Sequence, residues 1–466
     1  MNYVSTRGEA PVLGFEDALL AGLARDGGLY VPATWPVLAR DTIADFAGKP
    51  FHEVAAVVVG ALSGGAIAEA DLARMTREAY SPAVFGHAAV TPLVQIAANT
   101  WVLELFHGPT LAFKDVAMQL LARLMDHVLA KRGSRATIVG ATSGDTGGAA
   151  IEAFRASKRT DVMILFPDGR VSDVQRRMMT TPTEPHIHAL SIAGTFDDCQ
   201  ARVKDMFNHH AFRDRVRLSG VNSINWARIA AQVTYYFVAG VALGAPQRKI
   251  SFSVPTGNFG DIFAGYVAKQ MGLPIDRLII ATNSNDILAR TVETGRYETR
   301  DVVATSSPSM DIQVSSNFER YLFEASSRKA GEVRRMMGSL KQSGAFDLGP
   351  VAKTLKADFQ AARADEAAVK AVTRRVLDGS GYLLDPHTAC GVVAAERVPA
   401  STPVAVLATA HPAKFPHTLT GAWPPLPPRL SSLMKDPERI TQLPNDVAKI
   451  EHYVETHARA ASGGRA

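Results

Sequence analysis

Ala136–Ala149 reads ATIVGATSGDTGGA. Ala136–Ala141 is a short apolar run with β-branched residues, which predicts a buried strand. It ends in Thr142, Ser143, Gly144, Asp145, Thr146, Gly147 and Gly148 and then enters a helical pattern. Ile250–Asp261, ISFSVPTGNFGD, repeats the plan of strand, glycine-bearing turn and helix. Turns of this kind aim backbone N–H groups at an anion. Neither is a Walker loop, because no Gly-Lys-Ser/Thr follows, and neither matches G-x-G-x-x-G. The bland alternative is a plain strand-to-helix connection.

Working outward, strands and helices alternate. The pattern predicts strands at 136–141, 161–166, 187–192, 216–221, 249–254 and 277–282. Helices are expected at 146–158, 197–208, 226–243 and 260–271. Thr91–Val94 and Trp101–Leu105 read as two further strands. Such alternation means a mostly parallel α/β sheet with helices on both faces. Ligands in such folds bind beyond the carboxyl ends of strands, where both glycine turns lie. Upstream, residues 1–92 carry short amphipathic helical patterns at 41–46, 54–62 and 67–75, with a short strand at 29–32. Downstream, 316–378 reads as helical, and 381–384 and 403–407 as strand-like. Ala422–Leu430, AWPPLPPRL, reads as a loop, because its prolines remove donors and fix the backbone. The last residues, ASGGRA, are expected to fray.

Phe106–Gln119, FHGPTLAFKDVAMQ, places Lys114 after an irregular segment and at the start of an apolar-periodic run. The helix dipole disfavours a cation there and lowers its pKa. Such an amine can attack a carbonyl. A surface lysine beside a helix start is the plain alternative.

The bulk numbers narrow the field. The chain has 466 residues, 47% hydrophobic and 20% charged, which suits two or three packed units with a large core. The net charge of +5 is small and dispersed, with no basic block for nucleic acid. Cys199 and Cys390 stand outside any CxxC spacing, so neither a disulfide scaffold nor a zinc site is implied. MNYVSTRGEAP lacks the character of a signal peptide, no apolar run reaches membrane-spanning length, and a cytoplasmic location is expected.

Taken together, HGPTLAFKD around Lys114, GATSGDTG at 140–147, NSINWARI at 222–229, PTGNFGD at 255–261, SPSMDIQVSSNFER at 307–320, LDPHTA at 384–389 and TAHPAKF at 409–415 resemble the threonine synthase family in its longer form. RG at 7–8 and DGGLYVP at 26–32 fit as well. The resemblance runs in order along nearly the whole chain. It implies a fold-type II enzyme dependent on pyridoxal 5'-phosphate, of the tryptophan synthase β-like class. The expected architecture is α/β, with two open, mostly parallel-sheet subdomains and a mainly helical N-terminal region. The expected division is 1–92, a catalytic region 93–430, and a C-terminal helical segment and tail 431–466.

The resemblance also assigns roles. Lys114 is the Schiff-base lysine and the base for the α proton. Gly257, Asn258, Phe259 and Gly260 are the cofactor phosphate cradle. Thr409 is the partner of the pyridine nitrogen, and Asp145 lies near the ring hydroxyl, where an ionised aspartate cannot donate. Ser143 and Thr146 are candidates for the substrate carboxylate. The family's substrate is O-phospho-L-homoserine, whose own phosphate needs a cation. Arg228, with Asn225 on the same helix face, and Lys414 are the candidates, because a guanidinium fork binds two phosphate oxygens. Asn222 and Ser223 come behind them. The implied reaction removes an α proton and then a β proton, expels the γ phosphate and adds water at Cβ.

A relative that eliminates phosphate to a keto acid, a non-catalytic homologue that binds the cofactor, and a nucleotide reading of GATSGDTGG are the rivals. Each matched histidine, His107, His387 and His411, is either a proton shuttle or a structural hydrogen-bonding group. His186 and His188 alternate on a strand without a third ligand nearby and read as structural, and Met178–Met179 as core. No metal is expected.

Overall fold

Two parallel sheets carry the two glycine turns. The computed structural model describes residues 1–398, 401–415 and 424–461. In the first sheet Ala136–Ala141 lies between Thr160–Pro167 and Leu218–Ser219. Ile187–Ile192 and Thr441–Leu443 extend it, with every pair parallel. Each residue of Ala136–Ala141 is buried, as expected of a strand covered on both faces. The expected strand at 216–221 shrinks to Leu218–Ser219, a short edge.

The second sheet has the order Phe359–Arg363, Ile275–Thr282, Ile250–Pro255, Val404–Ala408, Thr100–Glu104 and Leu93–Ala97. All of its pairs are parallel except the last. Phe359–Arg363 corrects the helical reading of 316–378, as does the short strand Ala345–Asp347. FQAAR has weak strand propensity, and the open edge of Leu278–Thr282 overrides it. The strand-like reading of 381–384 is also corrected. Asp385 caps the helix Pro386–Arg397 by accepting from the His387 and Thr388 N–H groups, so the preceding residues form its approach.

Between the sheets run two helices, Lys114–Lys131 and Trp226–Ala242, each largely buried around its circumference. Such helices belong in the interior. The N-terminal region packs on them. Its three-stranded sheet, Leu13–Gly14, Asn2–Ser5 and Tyr30–Pro32, and the helices Phe51–Ser63 and Glu69–Ala79 share one core with both. Trp226 is buried against Tyr3 and receives its ring at 5.8 Å. The irregular reading of AWPPLPPRL is met at 424–427, with a 3₁₀ turn at Pro428–Leu430. Ala422 and Trp423 lie outside the described residues, as do the last five residues of the expected frayed tail.

His186 and His188 have separate partners. The first bonds the Phe154 carbonyl at 3.1 Å and the second the Tyr453 hydroxyl at 3.0 Å. Among the described residues no helix is long and apolar enough to cross a membrane, and no cluster of three metal-ligating side chains occurs.

Candidate active site

Lys114 opens its helix, as the sequence predicts, and its approach is held in three ways. Asp115 accepts from the Thr110 N–H (2.8 Å) and hydroxyl (2.7 Å), which closes the HGPT turn. Gly108 packs against Asp115 where a β-carbon has no room. The Phe113 N–H donates to the Thr409 carbonyl at 2.9 Å and the His411 N–H to the Leu111 carbonyl at 3.0 Å. Residues 110–114 are thereby laid along 409–411, and Thr409 comes beside the lysine, 7% exposed.

The first glycine turn supplies the charge. Asp145 Oδ2 lies 3.4 Å from Lys114 Nζ, and Lys414 Nζ donates to Asp145 Oδ1 and, at 3.0 Å, to the Thr110 carbonyl. All three side chains are nearly buried, Lys414 completely. Burial pushes the Lys114 amine below its ordinary pKa. Asp145 opposes that shift, and the positive charges of Lys414 and Arg228 add to it. Burial alone would raise the Asp145 carboxyl, but Lys414 and Lys114 outweigh it and hold it well below the usual carboxylate range. Asp145 is therefore an ion between two cations.

Lys414, expected as a cation for the substrate phosphate, is instead committed to Asp145 and to a carbonyl, with no exposed surface. Asn225 also departs from expectation. Its carbonyl caps the helix Trp226–Ala242 through the Ala227 N–H, and its amide donates to Leu19 and Gly220 carbonyls at 2.9 Å each. Its hydrogen-bonding capacity goes into the fold. Arg228, 2% exposed, is different. One nitrogen reaches the Val221 carbonyl at 3.4 Å, and its Nε has no partner among the described residues. Burial pushes it down to about 10, so it stays charged at neutral pH. A buried, unsatisfied cation that acts electrostatically on Lys114 suits an anionic ligand. Ser143 is exposed and Thr146 half-buried on the same turn.

The second turn supplies backbone donors. The helix Gly260–Gln270 has no side-chain cap, and Phe259 ahead of it takes a left-handed conformation, φ +63°. That conformation is unusual for a bulky residue. Phe259 is held there by Phe318, Phe359 and Tyr321 at ring separations of 5.2, 5.3 and 6.0 Å. A β-carbon on Gly257 would come within 3.0 Å of the Ser309 carbonyl. Asp261, in the first turn, accepts from the Tyr235 and Tyr236 hydroxyls at 2.5 and 3.0 Å, and burial pushes its carboxyl up to about 6. The uncapped N–H groups, the glycine clearance and a nearby buried lysine fit pyridoxal phosphate, whose phosphate needs donors and whose aldehyde needs an amine.

Several members of the site were not read from the sequence. Thr142 Oγ1 accepts from the Gly144 and Gly147 N–H groups, both at 2.9 Å, so the first turn caps itself. A threonine at a strand end before glycines is a signal that could have found it. Gln175 donates to Asp145 Oδ1 at 2.9 Å and packs on Gly144, with no signal in the sequence. The Ser309 N–H donates to His387 Nε2 at 3.3 Å, so His387 Nδ1 carries the proton and donates to Asp385 at 2.9 Å. His387 thus has the structural role open to it. His107 bonds Glu104 at 2.7 Å, and His411 Nδ1 accepts from the Ala413 N–H at 3.1 Å.

Two sheets meeting at a buried lysine opposite an uncapped glycine turn define a pyridoxal-phosphate-dependent enzyme, and a family model described as "Pyridoxal-phosphate dependent enzyme" matches residues 84–357. On either side of it, models for "Threonine synthase N terminus" and "Threonine synthase, C-terminal" match 2–80 and 388–454. The chain belongs to the threonine synthase family. It is 52% identical to threonine synthase of Pseudomonas aeruginosa over 98% of both chains. It superimposes on the crystal structure of PLP-bound threonine synthase from Brucella melitensis with a TM-score of 0.95 and 60% identity, covering 99% of this chain and 100% of that one. For the yeast enzyme the TM-score is 0.91 at 39% identity, with 98% of each chain covered.

Proposed function

We propose that the protein converts O-phospho-L-homoserine and water into L-threonine and phosphate, with each site residue in the role that its position allows. The reading is carried by the buried Lys114 amine facing Asp145, with the unpaired Arg228 acting on the same lysine. When bound, pyridoxal phosphate supplies an electron sink for negative charge that develops at the substrate Cα.

Lys114 would hold the cofactor through its amine and would move the proton at the substrate Cα, a task suited to an amine whose pKa is lowered by burial. Asp145, with Lys414 behind it, sets how far that lowering goes. Gly257, Asn258, Phe259 and Gly260 would hold the cofactor phosphate through their N–H groups. Thr409 would offer the ring nitrogen a hydroxyl, which would not force that nitrogen to stay protonated. Arg228 draws the substrate phosphate, and Ser143 and Thr146 receive its carboxylate from the open side of the turn. Residues 1–92 form the N-terminal unit, 93–430 the catalytic unit and 431–466 the C-terminal segment. The partners are small molecules rather than nucleic acid, and the location is cytoplasmic.

The test is to incubate the holoenzyme with O-phospho-L-homoserine and to quantify phosphate and threonine together. Equal amounts are expected. Phosphate with a keto acid in place of threonine would move the assignment to an eliminating relative, and neither product would overturn it.

A further inference from the structure

The segment 315–317 is sewn onto the second glycine turn. The Ser315 hydroxyl donates to the Gly257 carbonyl at 2.6 Å, the Ser316 hydroxyl to Asn258 Oδ1 at 3.2 Å and the Asn317 N–H to the Asn258 carbonyl at 3.0 Å. Asn317 is completely buried. Its Oδ1 accepts from Arg320 Nη1. Arginine only donates, so the atom facing it is the oxygen, and the amide nitrogen faces the other way. Arg320 is itself completely buried, and its Nε and Nη2 donate to the Tyr30 and Ile224 carbonyls at 3.0 and 2.6 Å.

Asn317 Nδ2 has no partner among the described residues. It lies against Gly260, where an added β-carbon would come within 3.3 Å of it. A buried amide nitrogen without an acceptor is costly and calls for an explanation. Here it stands at the uncapped start of an eleven-residue helix, whose first N–H groups also lack a side-chain acceptor. Both sets of donors can be satisfied by one anion. The buried Arg320 guanidinium behind the amide, bonded only to neutral groups, adds positive potential there.

We propose that Asn317 is a side-chain donor of the cofactor-phosphate site, with its amide turned toward the phosphate by Arg320. The inference rests on reading Gly257–Gly260 as the phosphate cradle. It adds a ligand some sixty positions away in sequence, and it explains why the second turn tolerates an orphaned buried amide.

The experiment measures equilibrium binding of pyridoxal phosphate and of pyridoxal, which lacks the phosphate, to apo-protein, alongside apo-protein melting. Asn317→Asp keeps the shape and the Arg320 contact but puts an acceptor where the donor was. Its affinity for pyridoxal phosphate is expected to fall tenfold or more, with pyridoxal binding unchanged. Asn317→Ala, in which the donor is simply missing, should lose less in the same phosphate-dependent way. Equal losses for both ligands would make Asn317 merely structural and overturn the proposal. So would unchanged binding in both variants while Gly257→Ala loses pyridoxal phosphate. If Gly257→Ala also leaves the preference for the phosphorylated ligand intact, the cradle reading falls, and the inference with it.

Discussion

The turns at 142–148 and 257–260 both leave a parallel strand and both enter a helix, yet they are held in opposite ways. The first is closed by its own threonine hydroxyl and filled with protein charge, Asp145 between Lys114 and Lys414. The second has no side-chain cap. It is held from outside, by a left-handed Phe259 locked in aromatic rings and by the serines of 315–316. One turn satisfies itself and tunes a lysine. The other leaves donors free, and free N–H groups at a helix start are what an external anion requires.

The largest effect that would break this contrast is at Lys114. Lys114→Ala should lower kcat by at least about 10³-fold, measured as threonine released, while leaving the second turn intact. Phosphate-dependent cofactor binding should therefore survive. Asp145→Asn tests whether the first turn is an electrostatic device. It leaves two buried lysines without a counter-ion, so stability should fall by roughly 3–5 kcal/mol in denaturant unfolding. Because Asp145 raises the Lys114 pKa, its loss should also shift the alkaline-going limb of the activity profile to lower pH. Phe259→Ala tests whether the second turn is held by packing. Losing the ring costs roughly 3–5 kcal/mol. The loss should appear in unfolding and in weakened cofactor binding together, with Lys114 titration unmoved.

Thr142→Val is milder. It keeps the shape but strips the acceptor from two N–H groups, at about 1–3 kcal/mol. The expected outcome is a lower melting temperature, with pyridoxal phosphate affinity changed less than in Phe259→Ala. Acid is the gentlest probe. Burial pushes His188 and His411 down to about 4. Released by unfolding they return to about 6.5, so between about pH 6.5 and 4 the unfolded chain binds more protons and stability falls as pH falls. The stability is present above that window and is lost on entering it from neutral pH. Melting followed from pH 7.5 to 5 should show a decline that His188→Gln with His411→Gln flattens by about 2 kcal/mol, half of the full linkage for two rings because both are partly exposed to solvent. Asp145, held far below this range, should keep the first turn charged throughout.

Much of the site could be read before any coordinates. Lys114 at a helix start and two strand–glycine–helix units follow from local periodicity and turn chemistry, with the first strand at 136–141 as its apolar run predicts and the second at 250–255, one residue on from the expected 249–254. Asn225 and Lys414 show where that reading stops. Asn225 has the residue type and spacing of a ligand contact, but a helix cap uses it up. Lys414 is a cation in a matched motif, but the acid it meets lies 269 positions away. Phe359–Arg363 became a strand because a sheet edge was waiting for it.

By itself the sequence determined the elements that neighbours decide: apolar runs of strand or helix period, glycine turns at strand ends, and a lysine poised at a helix start. Hydrogen bonds over a few residues and side-chain periodicity encode these locally. Only the tertiary structure decided which charges share a buried space and which polar atoms are left without a partner. Pairing Asp145 with Lys414, and leaving the Asn317 amide open beside Gly260, depends on how the sheets and the segments 315–317 and 409–415 come together. Burial then makes such long-range proximities count, because charges and unpaired donors interact strongly only once water is gone.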